Sequence, residues 1–76
     1  MVEAYLLITT PAGTARSVLS EIRDLEATRR ANVIAGEFDI IATVEAADTQ
    51  ELLVLVTEEI QSLENVGRTR TCVVLE

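Results

Sequence analysis

Hydrophobic and polar residues alternate from Val2 to Thr10, which is the pattern of a β-strand with two different faces. Tyr5 and Leu7 lie together on one predicted face. Pro11 follows and ends the strand, because proline has no N–H group to donate to a strand ladder. The opposite and more apolar face carries Val2, Ala4, Leu6 and Ile8.

Between Thr14 and Leu25 the apolar residues recur every three or four positions, which predicts an amphipathic helix. Charged and hydroxyl side chains fill the intervening positions and are expected to face solvent. The predicted apolar stripe consists of Ala15, Val18, Leu19, Ile22 and Leu25.

Two further strands are predicted over Arg30–Ala35, with a start as early as Thr28, and over Phe38–Val44. Gly36 and Glu37 separate them, and a glycine-containing connection between two such runs is typical of an antiparallel hairpin. Alternation within the second of these strands places its residues on two faces. One face carries Phe38, Ile40, Ala42 and Val44, and the other carries Asp39, Ile41 and Thr43.

A second helix is predicted to begin after Asp48, because Asp48 and Glu51 have the spacing of an N-terminal capping box. Val54 and Leu55 are expected to point outward. The Asn-Val-Gly sequence at positions 65–67 ends the helix, and a fourth strand follows over Arg68–Leu75. The predicted inner stripe is Leu53, Val56, Ile60 and Leu63, with Leu52 on its flank.

The element order is therefore strand, helix, strand, strand, helix, strand, which predicts one α+β domain over residues 1–76. Right-handed crossovers place both helices on one face of a four-stranded antiparallel sheet. This arrangement is the ferredoxin-like fold.

The sheet face that the helices leave open is predicted to be more apolar than water-exposed sheet faces usually are. Domains of fewer than about 80 residues often need a disulfide, a metal or oligomerisation for stability. We therefore expect a homodimer that packs sheet against sheet, although scattered surface hydrophobes remain an alternative. The outward Val54 and Leu55 suggest further contacts between dimers. The expected interface residues are Tyr5, Leu7, Ile34, Ile41 and Val74.

Composition narrows the possible functions. The 76 residues include 13 acidic and 6 basic residues, all six of them arginine, and the net charge is −7. A negative chain with one Tyr and one Phe lacks the positive field and stacking surfaces of nucleic-acid binding. Without histidine, and with a single cysteine, the sequence predicts no metal site, no disulfide, no cofactor and no enzyme.

No apolar run is long enough for a transmembrane helix, and the start has no signal-peptide pattern, so a soluble, cytoplasmic protein is expected. The acidic excess is compatible with a halophilic source.

Two short segments are candidates for chemistry. Glu37 and Asp39 lie two positions apart beside Gly36, and such a carboxylate pair can carry out acid–base chemistry. The alternative is that Glu37 is a solvated turn residue and Asp39 caps the amides of the turn, which leaves room for a ligand role. In the fourth strand, Thr69 and Thr71 share one face. Their hydroxyls either belong to a protected edge strand or bind a small zwitterion, and spacing alone leaves both interpretations open.

The segments Asn32–Ala42 and Leu63–Leu75 together resemble the C-terminal effector domain of Lrp/AsnC-type regulators. This domain is also called RAM, for regulation of amino-acid metabolism. The first segment carries the strand–Gly–x–aromatic–Asp–strand pattern, and the second carries the turn and the Thr-containing final strand. The six-element order agrees over the whole chain. The resemblance implies a stand-alone effector domain without the family's helix-turn-helix domain.

In that family the domain dimerises through its sheet, dimers often assemble into octamers, and amino acids bind at contacts between dimers. The resemblance implies ligand-binding roles for Gly36, Phe38 and Asp39 at the loop, and for Thr69 and Thr71 on the final strand. Phe38 stands where many members have tyrosine. The Asn-Val sequence at positions 65–66 stands where many have Gly-Val.

The sequence therefore predicts a non-catalytic sensor that contributes to transcription regulation through assembly with itself or with full-length regulators. Two other functions remain open. One is a small enzyme of the dimeric α+β barrel type, and the other is a purely structural oligomerisation module.

Overall fold

In the computed structural model, which describes residues 1–76, six elements follow one another in the predicted order. The four strands form one antiparallel sheet in the order β2-β3-β1-β4, so the ferredoxin-like fold is confirmed. The elements are β1 (Val2–Ile8), α1 (Ala15–Arg23), β2 (Thr28–Val33), β3 (Ile40–Ala46), α2 (Thr49–Val54) and β4 (Thr69–Val73). A π-helix over Leu55–Ile60 continues α2 directly.

The central strand β1 pairs with β3 on one side and with β4 on the other. Its alternation is as predicted, since Ala4, Leu6 and Ile8 are fully buried beneath the helices. The thirteen buried residues are all apolar and form one core between the sheet and the helices. The core therefore holds no charged group that could serve in chemistry.

The hairpin between β2 and β3 has a longer connection than the tight turn predicted at Gly36 and Glu37. β2 ends at Val33 and β3 begins at Ile40, which are partners in the ladder. The Ile34 amide donates one more hydrogen bond to the Asp39 carbonyl, at 2.9 Å. Residues 35–38 therefore form the tip of the loop. Phe38, which alternation placed in the strand, lies in this loop instead.

The second helix begins as predicted, because Asp48 Oδ1 accepts a hydrogen bond of 2.8 Å from the Glu51 amide. Its inner face differs from the prediction. Leu55 is only 3% exposed, whereas Leu53 is 60% exposed. The π-helix explains the change, because the Gln61 amide bonds to the Val56 carbonyl five residues earlier. This wider turn shifts the helical phase by about one residue, so the buried residues are Leu52, Leu55 and Ile60.

The helices are short and carry many polar residues. No helix is long and apolar enough to cross a membrane.

Candidate functional site

Three chain segments meet at one end of the sheet. The β2–β3 loop reaches β1, because the Asp39 amide donates to the Ile8 carbonyl at 2.9 Å. The segment before β4 reaches the same place, since the Thr9 amide donates to the Arg68 carbonyl at 2.9 Å. Asp39 therefore lies beside the end of β1, and Phe38 lies beside Arg68, just before β4. Gly36 lies at the tip of the same loop.

The Asp39 carboxylate has a structural partner. Its Oδ2 accepts a hydrogen bond of 2.8 Å from the amide of Thr10. That amide lies beyond the end of β1 and has no partner in the sheet ladder. Asp39 therefore does cap a backbone amide, but one from another segment rather than from its own turn. Its Oδ1 has no hydrogen-bond partner within the chain.

Replacing Asp39 with alanine is expected to lower the free energy of unfolding by about 1–2 kcal/mol, because the partly buried Thr10 amide loses its acceptor. Asp39→Asn keeps an acceptor oxygen, so its free energy of unfolding is expected to fall by less. Urea unfolding of both variants at one protein concentration measures the difference. Equal losses would show that the carboxylate's charge, rather than this hydrogen bond, is what stabilises the loop.

The turn before β4 contains one residue in the left-handed conformation. Asn65 has a positive φ of 67°, a conformation that asparagine tolerates better than other non-glycine residues. Gly67 then passes close to β1, because a Cβ there would lie 2.6 Å from the hydroxyl oxygen of Thr9. Both features bring Arg68 to the end of β1.

An open cleft of about 280 Å³ lies between the loop and β4. It is lined by Glu37, Phe38, Arg68 and Arg70, and we call it the arginine cleft. The Arg68 guanidinium lies over the Phe38 ring, 5.9 Å from its centroid. The chain's one ion pair joins Arg29 to Glu45 at 3.0 Å. No ion pair therefore joins Glu37 to Arg68 or to Arg70.

The two candidate threonines lie elsewhere. Thr69 and Thr71 belong to the β4 face that points toward the helices, since they pair with Ile8 and Leu6. Gln61 donates a 2.7 Å hydrogen bond from its side-chain amide to the Thr69 hydroxyl. Thr71 lines a separate groove of about 250 Å³ between α2 and β4, together with Thr49, Leu52, Leu53, Val56 and Val73.

Within one chain the threonines and the loop residues therefore do not share a cavity. A site that contains both sets needs two copies of the chain. A role for Thr69 and Thr71 at the loop of a neighbouring copy stays a prediction.

The open face of the sheet presents the expected apolar residues. Tyr5 pairs with Thr43 and Cys72, and Leu7 pairs with Ile41 and Arg70. Tyr5 is 44% exposed. The other expected interface residues, Leu7, Ile34, Ile41 and Val74, are half-buried in the single chain. Their role in a dimer stays a prediction.

The sequence interpretation did not name Arg68 and Arg70 as candidate site residues. A signal was nevertheless present. The two arginines lie two positions apart in a chain that is otherwise strongly acidic, and a strand places such residues on one face. Their proximity to Glu37 and Phe38 depends on the sheet register, which the sequence pattern does not show.

The chain matches a known family along nearly its whole length. The model of the Lrp/AsnC ligand binding domain matches residues 3–76. Over 60 residues the chain is 32% identical to an uncharacterised helix-turn-helix-type transcriptional regulator of Pyrococcus furiosus. That match covers 79% of this chain and 40% of the relative, so the chain spans less than half of the relative's length.

Solved structures share the fold. The crystal structure of FFRP-DM1 superposes with a TM-score of 0.95 and 31% identity, over 99% of this chain and 100% of that one. A transcriptional regulator from Neisseria meningitidis, solved in complex with L-methionine, gives a TM-score of 0.88 over 99% of this chain and 50% of its own. Its identity is 18%, so this likeness concerns the fold.

Proposed function

Since this chain belongs to the Lrp/AsnC ligand-binding domain family, we propose that it is a non-catalytic effector domain that binds a free amino acid where its own copies meet. Binding shifts the chain between assembly states. The change of assembly state then affects transcription in the cytoplasm, because the chain assembles with itself or with full-length regulators. The proposal requires no metal and no cofactor.

The observation that carries this proposal is the charge arrangement at the loop end of the sheet. Glu37 lines the arginine cleft and offers an acceptor for an ammonium group, with the Asp39 carboxylate two positions further along the loop, while Arg68 offers donors for a carboxylate. A free amino acid brings both groups at neutral pH. The guanidinium is suited to this task because its planar N–H donors match a carboxylate in two parallel hydrogen bonds.

The relatives support the same class of function. The Pyrococcus furiosus relative is a helix-turn-helix-type transcriptional regulator. The Neisseria meningitidis regulator was solved with L-methionine. An amino acid is therefore a ligand of appropriate chemistry for this fold.

Exposed apolar surface supports assembly from more than one copy. The open sheet face offers Tyr5, Leu7 and Ile41, and the opposite side of the chain exposes Leu53 and Val54 on α2. Two separate apolar surfaces allow a dimer to assemble further. A ligand that binds one assembly state more tightly than another shifts the population toward that state.

A panel of the twenty amino acids tests the proposal by thermal shift, followed by calorimetry on those that raise the unfolding temperature. We expect at least one to bind with a dissociation constant below 1 mM, which corresponds to about −4 kcal/mol. Its affinity is expected to fall in Asp39→Ala. Ser17→Ala, at an exposed position on α1, is the control and is expected to bind normally.

If none of the twenty binds below millimolar concentration, the sensing proposal is wrong, and a structural oligomerisation module becomes the better interpretation. An enclosed polar cavity between the two sheets of a dimer would instead favour the enzyme alternative.

A further inference from the structure

The arginine cleft has a local charge opposite to that of the whole chain. The chain carries a net charge of −7, but the cleft lining contains two arginines and one glutamate. Of the other four arginines, two have polar partners, and Arg16 and Arg30 have none. Arg29 pairs with Glu45, and Arg23 donates two hydrogen bonds to the Ala31 carbonyl, at 2.8 and 3.1 Å. The side chains of Arg68 and Arg70 have no such partner.

We propose that the arginine cleft selects an acidic amino acid, L-glutamate or L-aspartate, over its neutral amide. This inference rests on the proposed amino-acid binding and adds the class of ligand. An acidic amino acid has two carboxylates and one ammonium group, which complement two guanidinium groups and one carboxylate. A neutral amino acid leaves one arginine of the cleft without a counter-ion.

The structure holds one of these arginines in place before a ligand arrives. The Arg68 backbone is bonded in both directions to Thr9, since its carbonyl accepts from the Thr9 amide and its amide donates to the Thr9 hydroxyl at 2.7 Å. Its guanidinium rests over the Phe38 ring. A side chain that is already positioned loses less conformational entropy when it binds a carboxylate.

The second arginine is positioned by the sheet. Arg70 pairs with Leu7 in the β1–β4 ladder, so it lies on the open face of the sheet, on the edge strand β4. Arg68 lies two residues earlier, just before β4 begins. The two Cα atoms are therefore about 7 Å apart. We expect the two carboxylates of glutamate or aspartate to engage the two guanidinium groups separately, with the ligand ammonium directed to Glu37.

The test compares L-glutamate with L-glutamine, and L-aspartate with L-asparagine, by calorimetry on the 76-residue chain at constant ionic strength, because salt screens exposed charges. We expect each acid to bind about tenfold to a hundredfold more tightly than its amide, which is the range of one hydrogen bond to a charged group. In Arg68→Gln and Arg70→Gln this preference is expected to be lost. Arg16→Gln removes the same charge from an exposed position on α1 and is expected to keep it.

Glu37→Gln separates recognition of the ammonium from recognition of the carboxylates. This variant is expected to bind L-glutamate more weakly but glutarate, which lacks the ammonium group, more tightly than the unaltered chain does. Circular dichroism confirms that each variant is folded. If L-glutamine binds as tightly as L-glutamate, or if Arg70→Gln keeps the preference, the acidic selectivity is wrong while amino-acid binding stands. If no amino acid binds, the proposed function itself fails.

Discussion

Replacing Leu55 with alanine is expected to lower the free energy of unfolding by about 2–5 kcal/mol, because the side chain is 3% exposed and its removal leaves a cavity under the π-helix. The same replacement at Leu53, which is 60% exposed, is expected to change it by less than about 0.5 kcal/mol. Urea unfolding followed by circular dichroism measures both. Both variants replace a leucine with alanine, so the difference between their losses reports which of the two leucines faces the core.

The comparison is made at several protein concentrations, because assembly adds to apparent stability. A Leu53→Ala loss that grows with protein concentration would indicate a contact between copies rather than a core contact. If Leu53→Ala is the more damaging variant at the lowest concentration, the inner stripe inferred from the sequence is right and the π-helical phase is wrong.

A charge at the centre of the open sheet face is expected to abolish the proposed dimer. Ile41 pairs with Leu7 on β1 and with Asn32 on β2, so Ile41→Glu places a carboxylate in the middle of this face. A two-fold interface would bury that charge twice, without a partner, at a cost of several kcal/mol. We expect sedimentation equilibrium to show a mass of 8.3 kDa for the variant and at least twice that for the unaltered chain.

Ser20→Glu is the control, because Ser20 is exposed on α1 and lies outside both the sheet and the helix that carries Leu53 and Val54. It is expected to keep the assembly of the unaltered chain. Since Ile41 is half-buried within its own chain, the fold of Ile41→Glu is checked by circular dichroism. A folded monomer for the unaltered chain at micromolar concentration would contradict sheet-to-sheet packing, as would an Ile41→Glu variant that remains a dimer.

Local features of the chain could be predicted from the sequence, because they depend on residues that are close together in it. The alternation that buries Leu6 and the capping pair Asp48 and Glu51 depend on residues only a few positions apart. The helical phase after Val54 could not be predicted in this way. The π-helix over Leu55–Ile60 bonds residues five positions apart instead of four, and such helices are rare, so the ordinary helical period assigns the wrong inner face.

The order of the elements, the family and the candidate loop at Gly36, Phe38 and Asp39 could be predicted from the sequence, since these depend on local pattern. Only the tertiary structure showed that Asp39 caps Thr10 and that Arg68 lies over Phe38. These partners are far apart in the chain. The sheet register, which aligns Ile8 with Ile40 and Thr69, brings them to one end of the sheet, because hydrogen bonds between strands set which side chains become neighbours.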